Sequence, residues 1–349
     1  MTATHQTRII ALDGLRAISI LLVLFSHAWL GHIVPGGLGV TIFFFISGFI
    51  ITRLMIAEWD ASGTVSIKKF YLRRFFRLMP ALIVFVLISL CVMQLAAVQW
   101  TWVELASVFF YFANYFGIFI GFSDDVLPPP LSITWSLAVE EHFYMVFPFV
   151  FLGLISVPKR FLTVILGLLV ILLAWRIYLV YGVGLDHLVH YRIYKATDTR
   201  ADSIMYGTGF AILLARYPKV IAVFQRRETL VLGIAMMLFS LFWRDENFRE
   251  SYRYSLQGMA LACMFSCIVL NDTFASRFLS SAPLNYLGKV SYSLYLYHWL
   301  VFGVITVWMP ALSLPLRITL MIVASVVLAD LSFRFVERPS LNFGRKFLH

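Results

Sequence analysis

Residues 38–57 read LGVTIFFFISGFIITRLMIA, twenty positions with a single charged side chain, Arg53. Coiled as a helix at ~1.5 Å per residue, such a run is ~30 Å long, the thickness of a bilayer's hydrocarbon core. Working outward from it, ten more apolar runs occur near 12–30, 80–98, 103–121, 136–156, 161–181, 202–216, 229–243, 255–271, 289–309 and 315–336. The whole chain has the same character. Of its 349 residues 61% are hydrophobic and 13% charged, and mean hydropathy is +0.86, whereas about a quarter of the residues in a water-soluble domain carry charge. The expected fold is an all-α integral membrane protein, one domain over 1–349 with no room for a separate soluble domain.

The 28 Lys and Arg against 18 Asp and Glu leave a net charge of +10. In a membrane chain this reports loops facing the anionic cytoplasmic leaflet rather than nucleic-acid binding. If all eleven runs span from a cytoplasmic N-terminus, the loop cations divide 12 inside to 11 outside; if 103–121 re-enters or lies along the interface, they divide 17 to 6. The positive-inside rule therefore selects about ten transmembrane helices, one additional re-entrant or interfacial segment, and cytoplasmic termini. Ser123, Asp124, Asp125 and Pro128-Pro129-Pro130 follow that segment as a polar, rigid loop. The six outside cations are then Arg192, Lys195, Arg200, Arg244, Arg249 and Arg253. The first run exceeds the usual signal-peptide length and lacks a small-x-small cleavage site, so it is expected to stay in the mature protein. Cys91, Cys263 and Cys267 lie in apolar stretches with neither metal-ligand nor disulfide spacing, and no metal is expected.

Ionisable groups inside a span cost at least ~2.5 to 3.5 kcal/mol at the bilayer centre and so mark candidate functional positions. The first run contains Asp13, Arg16 and His27. Eleven residues make almost three turns, so Arg16 and His27 share a face about 16 Å apart. Arg16 alone could snorkel to the interface; His27 is too short to do so. In SITWSLAVEEHFYMVFP, Glu140 and Glu141 precede His142. A helix dipole explains one acidic residue there, and a carboxylate that orients His27 and raises its basicity explains the pair. SIKKFYLRRFFRLMP carries Lys68, Lys69, Arg73, Arg74 and Arg77, either an interfacial helix on anionic lipid or a phosphate site built from guanidinium forks. Arg200 and Asp202 read as an ion pair entering a span, His298 as either a structural or a functional histidine, and Ser47-Gly48 as a close helix contact.

Taken in order, these pieces closely resemble the membrane acyltransferase-3 family of bacterial O-acyltransferases over nearly the whole chain. The likeness runs from LDGLRAISILLVLFSH, with its Arg-x10-His at Arg16 and His27, through GVTIFFFISGFIIT, YLRRFFRLMPAL, ITWSLAVEEHFYMVFP, TDTRADSIMYG and VSYSLYLYHW to FVERP. The resemblance implies transfer of an acyl group, usually acetyl, from acyl-CoA to a hydroxyl of a glycan, lipid-linked saccharide or small molecule at the bacterial inner membrane. It implies His27 as the catalytic histidine, Arg16 as support for the site, and Arg74 with Arg77 as the family's Arg-x-x-Arg element associated with acyl-CoA. The mechanism expected from the residues has His27 as general base with Glu141 or Glu140 as its orienter, and an acyl-CoA site at Arg16, Arg73, Arg74 and Arg77. Asp13, Ser47, Trp135, Arg200, Asp202 and His298 are the candidates for the substrate pocket. His142 stands where the family often has Gln and is assigned no catalysis. The chain stops at His349, so a stand-alone version without an extracytoplasmic hydrolase-like domain is expected. A transporter or flippase using the same buried charges is the rival reading; it would be favoured by inverted repeats, which the sequence does not display. Oligomeric state is left open.

Overall fold

The computed structural model describes residues 9–123, 126–271 and 273–347; Asp124 and Asp125 of the expected polar loop lie outside them. Among the described residues every regular element is helical. Seven stretches are long and apolar enough to cross a membrane, by length and composition: Ala11–Leu30, Gly36–Ser62, Ile67–Leu95, Pro130–Leu154, Pro158–Val183, Ala282–Trp308 and Leu314–Arg345. The protein is an integral membrane protein.

In chain order the α-helices are α1 (Ile10–Phe25), α2 (Gly36–Ser62), α3 (Ile67–Leu95), α4 (Trp102–Phe109), α5 (Ala113–Phe119), α6 (Trp135–Leu154), α7 (Pro158–Tyr178), α8 (His187–Lys195), α9 (Thr197–Arg216), α10 (Pro218–Phe224), α11 (Arg227–Phe242), α12 (Glu246–Ser251), α13 (Arg253–Phe265), α14 (Phe274–Leu279), α15 (Ala282–Trp308), α16 (Leu314–Ser332) and α17 (Arg338–Arg345). Three of the expected spans are shorter or more polar than the seven. Helix α9 carries Asp198, Arg200, Asp202 and Arg216 within 20 residues, α11 has 16 residues, and α13 has 13 before a wider turn carries it to Leu270.

The run 103–121 is not one helix. It divides into α4, of 8 residues, and α5, of 7, on either side of Tyr111, which takes a left-handed φ of 59°. Eight residues reach about 12 Å, well short of a ~30 Å core, so neither piece crosses on its own. Thr101 and Glu104 form a reciprocal capping box at the start of α4. Buried Glu104 also accepts from the Ser123 backbone N–H at 2.8 Å, which fixes the far end of the excursion.

Close helix crossings use small residues, as lipid-embedded packing requires. A Cβ on Gly48 of α2 would stand 2.0 Å from the Ile204 carbonyl oxygen of α9, and one on Gly207 of α9 would stand 1.9 Å from that of Phe45. Both glycines are therefore obligatory for the α2–α9 contact. Helix α1 packs on α15 as well as α2, and this places the C-terminal half of α1 beside the middle of α15. At Ser26–Leu30 the regular helix gives way to a wider turn in which Trp29 takes a φ of 59°. His27 stands within that break.

Candidate active site

The break at the end of α1 turns the His27 ring toward α15. His27 Nδ1 lies 2.9 Å from His298 Nε2, and His298 Nδ1 lies 3.1 Å from the Leu294 carbonyl oxygen one turn earlier on α15. A carbonyl only accepts, so His298 Nδ1 carries a proton and its Nε2 accepts. His27 Nδ1 must then be the donor, and the proton-free nitrogen of neutral His27 is Nε2. Trp299 packs on the other side of the His27 ring, with centroids 4.7 Å apart. A fully buried histidine thus holds a half-buried one in a single tautomer, with a basic nitrogen left over.

His27 lines a cavity of about 490 Å³, with Trp135 from α6, Tyr191, Tyr194 and Lys195 from α8, and Tyr295 and Trp299 from α15. The turn after α5, Phe119 to Phe122, closes one side. A smaller cavity of about 90 Å³ lies toward the other end of α1 and is lined by Arg16, Ser47, Arg74, Arg77, Glu140 and Tyr144. Val40 and Tyr295 line both cavities. The two spaces therefore meet back to back across one valine and one tyrosine. The Tyr295 hydroxyl donates to the Ile133 carbonyl at 3.1 Å and accepts from Ser136 Oγ at 2.7 Å, which holds that wall in place.

The glutamates do not orient His27. Glu141 accepts from Arg74 at 2.8 Å, and Glu140 accepts from Ser47 Oγ at 2.9 Å and from the Tyr144 hydroxyl at 3.2 Å. Ser47 Oγ and the Tyr144 hydroxyl also contact one another. The physical reason lies in α6 itself. Trp135 faces the His27 cavity, and five residues further along, about 8 Å at 1.5 Å per residue, Glu140 already lines the Arg16 cavity, with Glu141 next to it on Arg74. Their work is to pin α6 to α2 and α3. His142, adjacent to them, hydrogen-bonds Thr197 Oγ1 at 2.7 Å, away from His27.

The four arginines assigned to a donor site do not form one cluster. Arg16, Arg74 and Arg77 line the small cavity, whereas Arg73 pairs with Glu58 at 3.0 Å. Arg74 is held by Glu141 and lies with its guanidinium carbon 3.3 Å from the centroid of the Tyr144 ring. Arg16 Nε is buried without a hydrogen-bond partner among the described residues, an orphaned donor that suits an anionic ligand. Ser47 belongs to this cavity, Trp135 to the larger one, and Asp13 to neither.

Arg200 and Asp202 do not pair. Two residues apart on a helix point to different faces, and buried Asp202 instead meets buried Arg176 of α7 at 2.7 Å. Arg200 lies 3.8 Å over the Tyr254 ring and donates to Thr41 Oγ1 at 3.2 Å. Both tie α9 to its neighbours and line neither cavity. The residues that sequence reasoning missed are Tyr144, Tyr295, Trp299 and Lys195. Spacing held a signal for two of them: Tyr144 stands four residues after Glu140, and Tyr295 three before His298, so each shares a helical face with a residue already singled out. Among the described residues no group of three or more His, Cys, Asp or Glu could hold a metal ion.

The model of the family described as acyltransferase domain matches residues 9–334. Peptidoglycan O-acetyltransferase OatA of Listeria monocytogenes is 32% identical over 355 residues, which cover 96% of this chain and 56% of that protein. YrhL of Bacillus subtilis strain 168, provisionally named for the same activity, is 29% identical over 369 residues, covering 99% of this chain and 58% of that protein. The chain thus spans a little over half the length of these relatives. No solved structure matches it.

Proposed function

Because the chain belongs to the acyltransferase-3 family, we propose that it transfers an acyl group, acetyl first among them, from acyl-CoA at the Arg16 cavity to a hydroxyl of a glycan in the His27 cavity. The single observation that carries this reading is the hydrogen-bond chain from His27 Nδ1 through His298 to the Leu294 carbonyl, which leaves His27 Nε2 as a base beside a cavity large enough for an acceptor. The relatives' names make peptidoglycan the first acceptor to try. The bacterial inner membrane is the proposed location, with ten spans, both termini cytoplasmic and α4–α5 at the outer interface. The Arg16 cavity then faces the cytoplasm and the His27 cavity faces outward. The chain's own residues are proposed to act as one membrane domain.

The acyl donor is a substrate and supplies an activated thioester carbonyl. Arg77 and the orphaned Arg16 Nε would meet its phosphates, and Arg74, fixed by Glu141, would line the entry. Its acyl end must pass Val40 and Tyr295 to reach the second cavity. There His27 Nε2 takes the proton of the acceptor hydroxyl as that oxygen attacks the carbonyl carbon; the carbon–sulfur bond breaks, and the proton returns to the departing sulfur. His298 stabilises the imidazolium formed in between by accepting from Nδ1. Trp299 and Trp135 exclude bulk water from the ring. Radiolabelled acetyl-CoA and peptidoglycan oligosaccharide, given to purified wild-type protein and His27→Ala in nanodiscs, test the reading. Labelled acceptor should form only with wild type while both proteins unfold at the same temperature; retention of a tenth of wild-type turnover by the variant removes His27 as the base.

A further inference from the structure

A third cavity, about 360 Å³, adjoins the His27 cavity, with Ser26, Gly36, Gly37 and Tyr194 in the lining of both. Arg244, Arg249 and Arg253 stand in its wall. Among the described residues one carboxylate shares that wall, Glu250, which is 3.5 Å from Arg253 and 3.7 Å from His190. Neither Arg244 nor Arg249 has a carboxylate within ion-pair distance among the described residues. Burial, together with the charges of Arg253 and Arg244, lowers the pKa of Arg249 from its ordinary value, with Glu250 opposing. In the His27 cavity itself, Lys195 ends α8 with its ammonium 4.0 Å from the Tyr191 ring centroid, and burial brings its pKa down to about 8. The neighbouring Asp198 does not neutralise it, because that carboxylate is bound by Arg192 at 2.5 Å and by Trp175 Nε1 at 2.9 Å.

The placement of these cations conflicts with the positive-inside rule, by which loop Lys and Arg gather on the cytoplasmic side. In the proposed topology six loop cations break the rule. Arg192 is accounted for by Asp198, Arg253 by Glu250, and Arg200 is buried against the Tyr254 ring. The remaining three, Lys195, Arg244 and Arg249, all line the two joined cavities. A ligand supplying negative charge explains all three together, and the tyrosine and tryptophan faces beside them suit sugar rings.

Resting on the acyl-transfer reading, we infer that the acceptor is an anionic oligosaccharide, its reacting hydroxyl at His27 Nε2 and its acidic groups over Lys195 and in the Arg244–Arg249–Arg253 cavity. Continuity between the cavities means one chain reaches both, so charge recognition and acyl transfer act on neighbouring sugars of a single molecule. An anionic phospholipid headgroup offers similar chemistry, but it would not need to communicate with the His27 cavity.

The test uses the full chain in neutral phosphatidylcholine nanodiscs and two probes, a peptide-free peptidoglycan tetrasaccharide with free lactyl carboxylates and the same tetrasaccharide methyl-esterified. Binding is measured calorimetrically without donor, and acetyl transfer separately with acetyl-CoA. Wild type should bind the acid about ten-fold more tightly than the ester, a difference of ~1.4 kcal/mol. The double variant R244Q/R249Q should shrink that preference below about three-fold by weakening binding of the acid alone. Equal affinity for acid and ester, binding of neither, or equal loss of both in the variant overturns the inference. So does a variant whose only change is its response to added phosphatidylglycerol, which would make the cluster a lipid contact. Selective binding of the acid with no acetyl transfer would support the anionic site and contradict the acyl-transfer reading instead.

Discussion

Replacement of His298 tests the tautomer argument apart from the base itself. His298→Phe keeps a ring of similar shape but removes the acceptor 2.9 Å from His27 Nδ1. A buried donor left without a partner costs ~1 to 3 kcal/mol. His27 can escape that cost by moving its proton to Nε2, which faces the cavity, but it then has no lone pair there for the acceptor hydroxyl. At ~1.36 kcal/mol per factor of ten, the productive tautomer falls by roughly five-fold to 150-fold, and kcat falls with it. The donor KM should not move, since the Arg16 cavity is built from other residues. His298→Gln puts an amide oxygen near the position of Nε2 and should recover most of the lost rate. Single-turnover acetyl transfer, which separates chemistry from product release, is the assay. A Phe variant within two-fold of wild type, or a Gln variant as slow as the Phe variant, refutes the reasoning.

At the Arg16 cavity, Arg77→Ala should raise the acyl-CoA KM ten-fold or more through loss of a charge-assisted hydrogen bond worth ~1.5 to 3 kcal/mol, with acceptor KM unchanged and Lys68→Ala silent; CoA binding equal in all three proteins makes the basic segment a lipid anchor. Arg74→Ala should instead destabilise the fold by ~3 to 5 kcal/mol, because it strands the Glu141 carboxylate in a pair whose side chains are 14% and 11% exposed. Thermal unfolding of the doubly apolar variant R74L/E141L should return toward wild type, and a double variant as unstable as the single one contradicts that role. For topology, a cysteine at Asn247 should react with an impermeant thiol reagent in intact cells and one at Gln225 only after permeabilisation; the reverse pattern would invert the proposed orientation.

What could be read from the sequence was whatever depends on neighbours along the chain. Apolar runs gave the helical membrane fold, and the charge division singled out 103–121 as unlike the rest; the eleven-residue spacing of Arg16 and His27 assumed one regular helix, whereas α1 ends at Phe25 and His27 stands in the wider turn after it, in the other cavity. What could not be read depends on pairs brought together only by packing. His298 lies 271 residues from His27 and Glu141 lies 67 from Arg74. Nothing local distinguishes a glutamate that orients a histidine from one that holds an arginine. The misassigned Arg200–Asp202 pair could have been rejected from helical geometry alone, since residues i and i+2 face apart. Lys195 was visible only as an outside cation, and its place in the His27 cavity follows from the way α8 folds back onto α5 and α9.

The central claim is that the acyl group enters at one face of the membrane and the acceptor receives it at the other. Inverted inner-membrane vesicles, which expose the cytoplasmic face to the bath, can be loaded with peptidoglycan tetrasaccharide and given radiolabelled acetyl-CoA outside. Acetylated tetrasaccharide inside the lumen, formed by wild type and absent with His27→Ala, is the predicted result. Label that reaches the acceptor only when donor and acceptor share the bath compartment would contradict it.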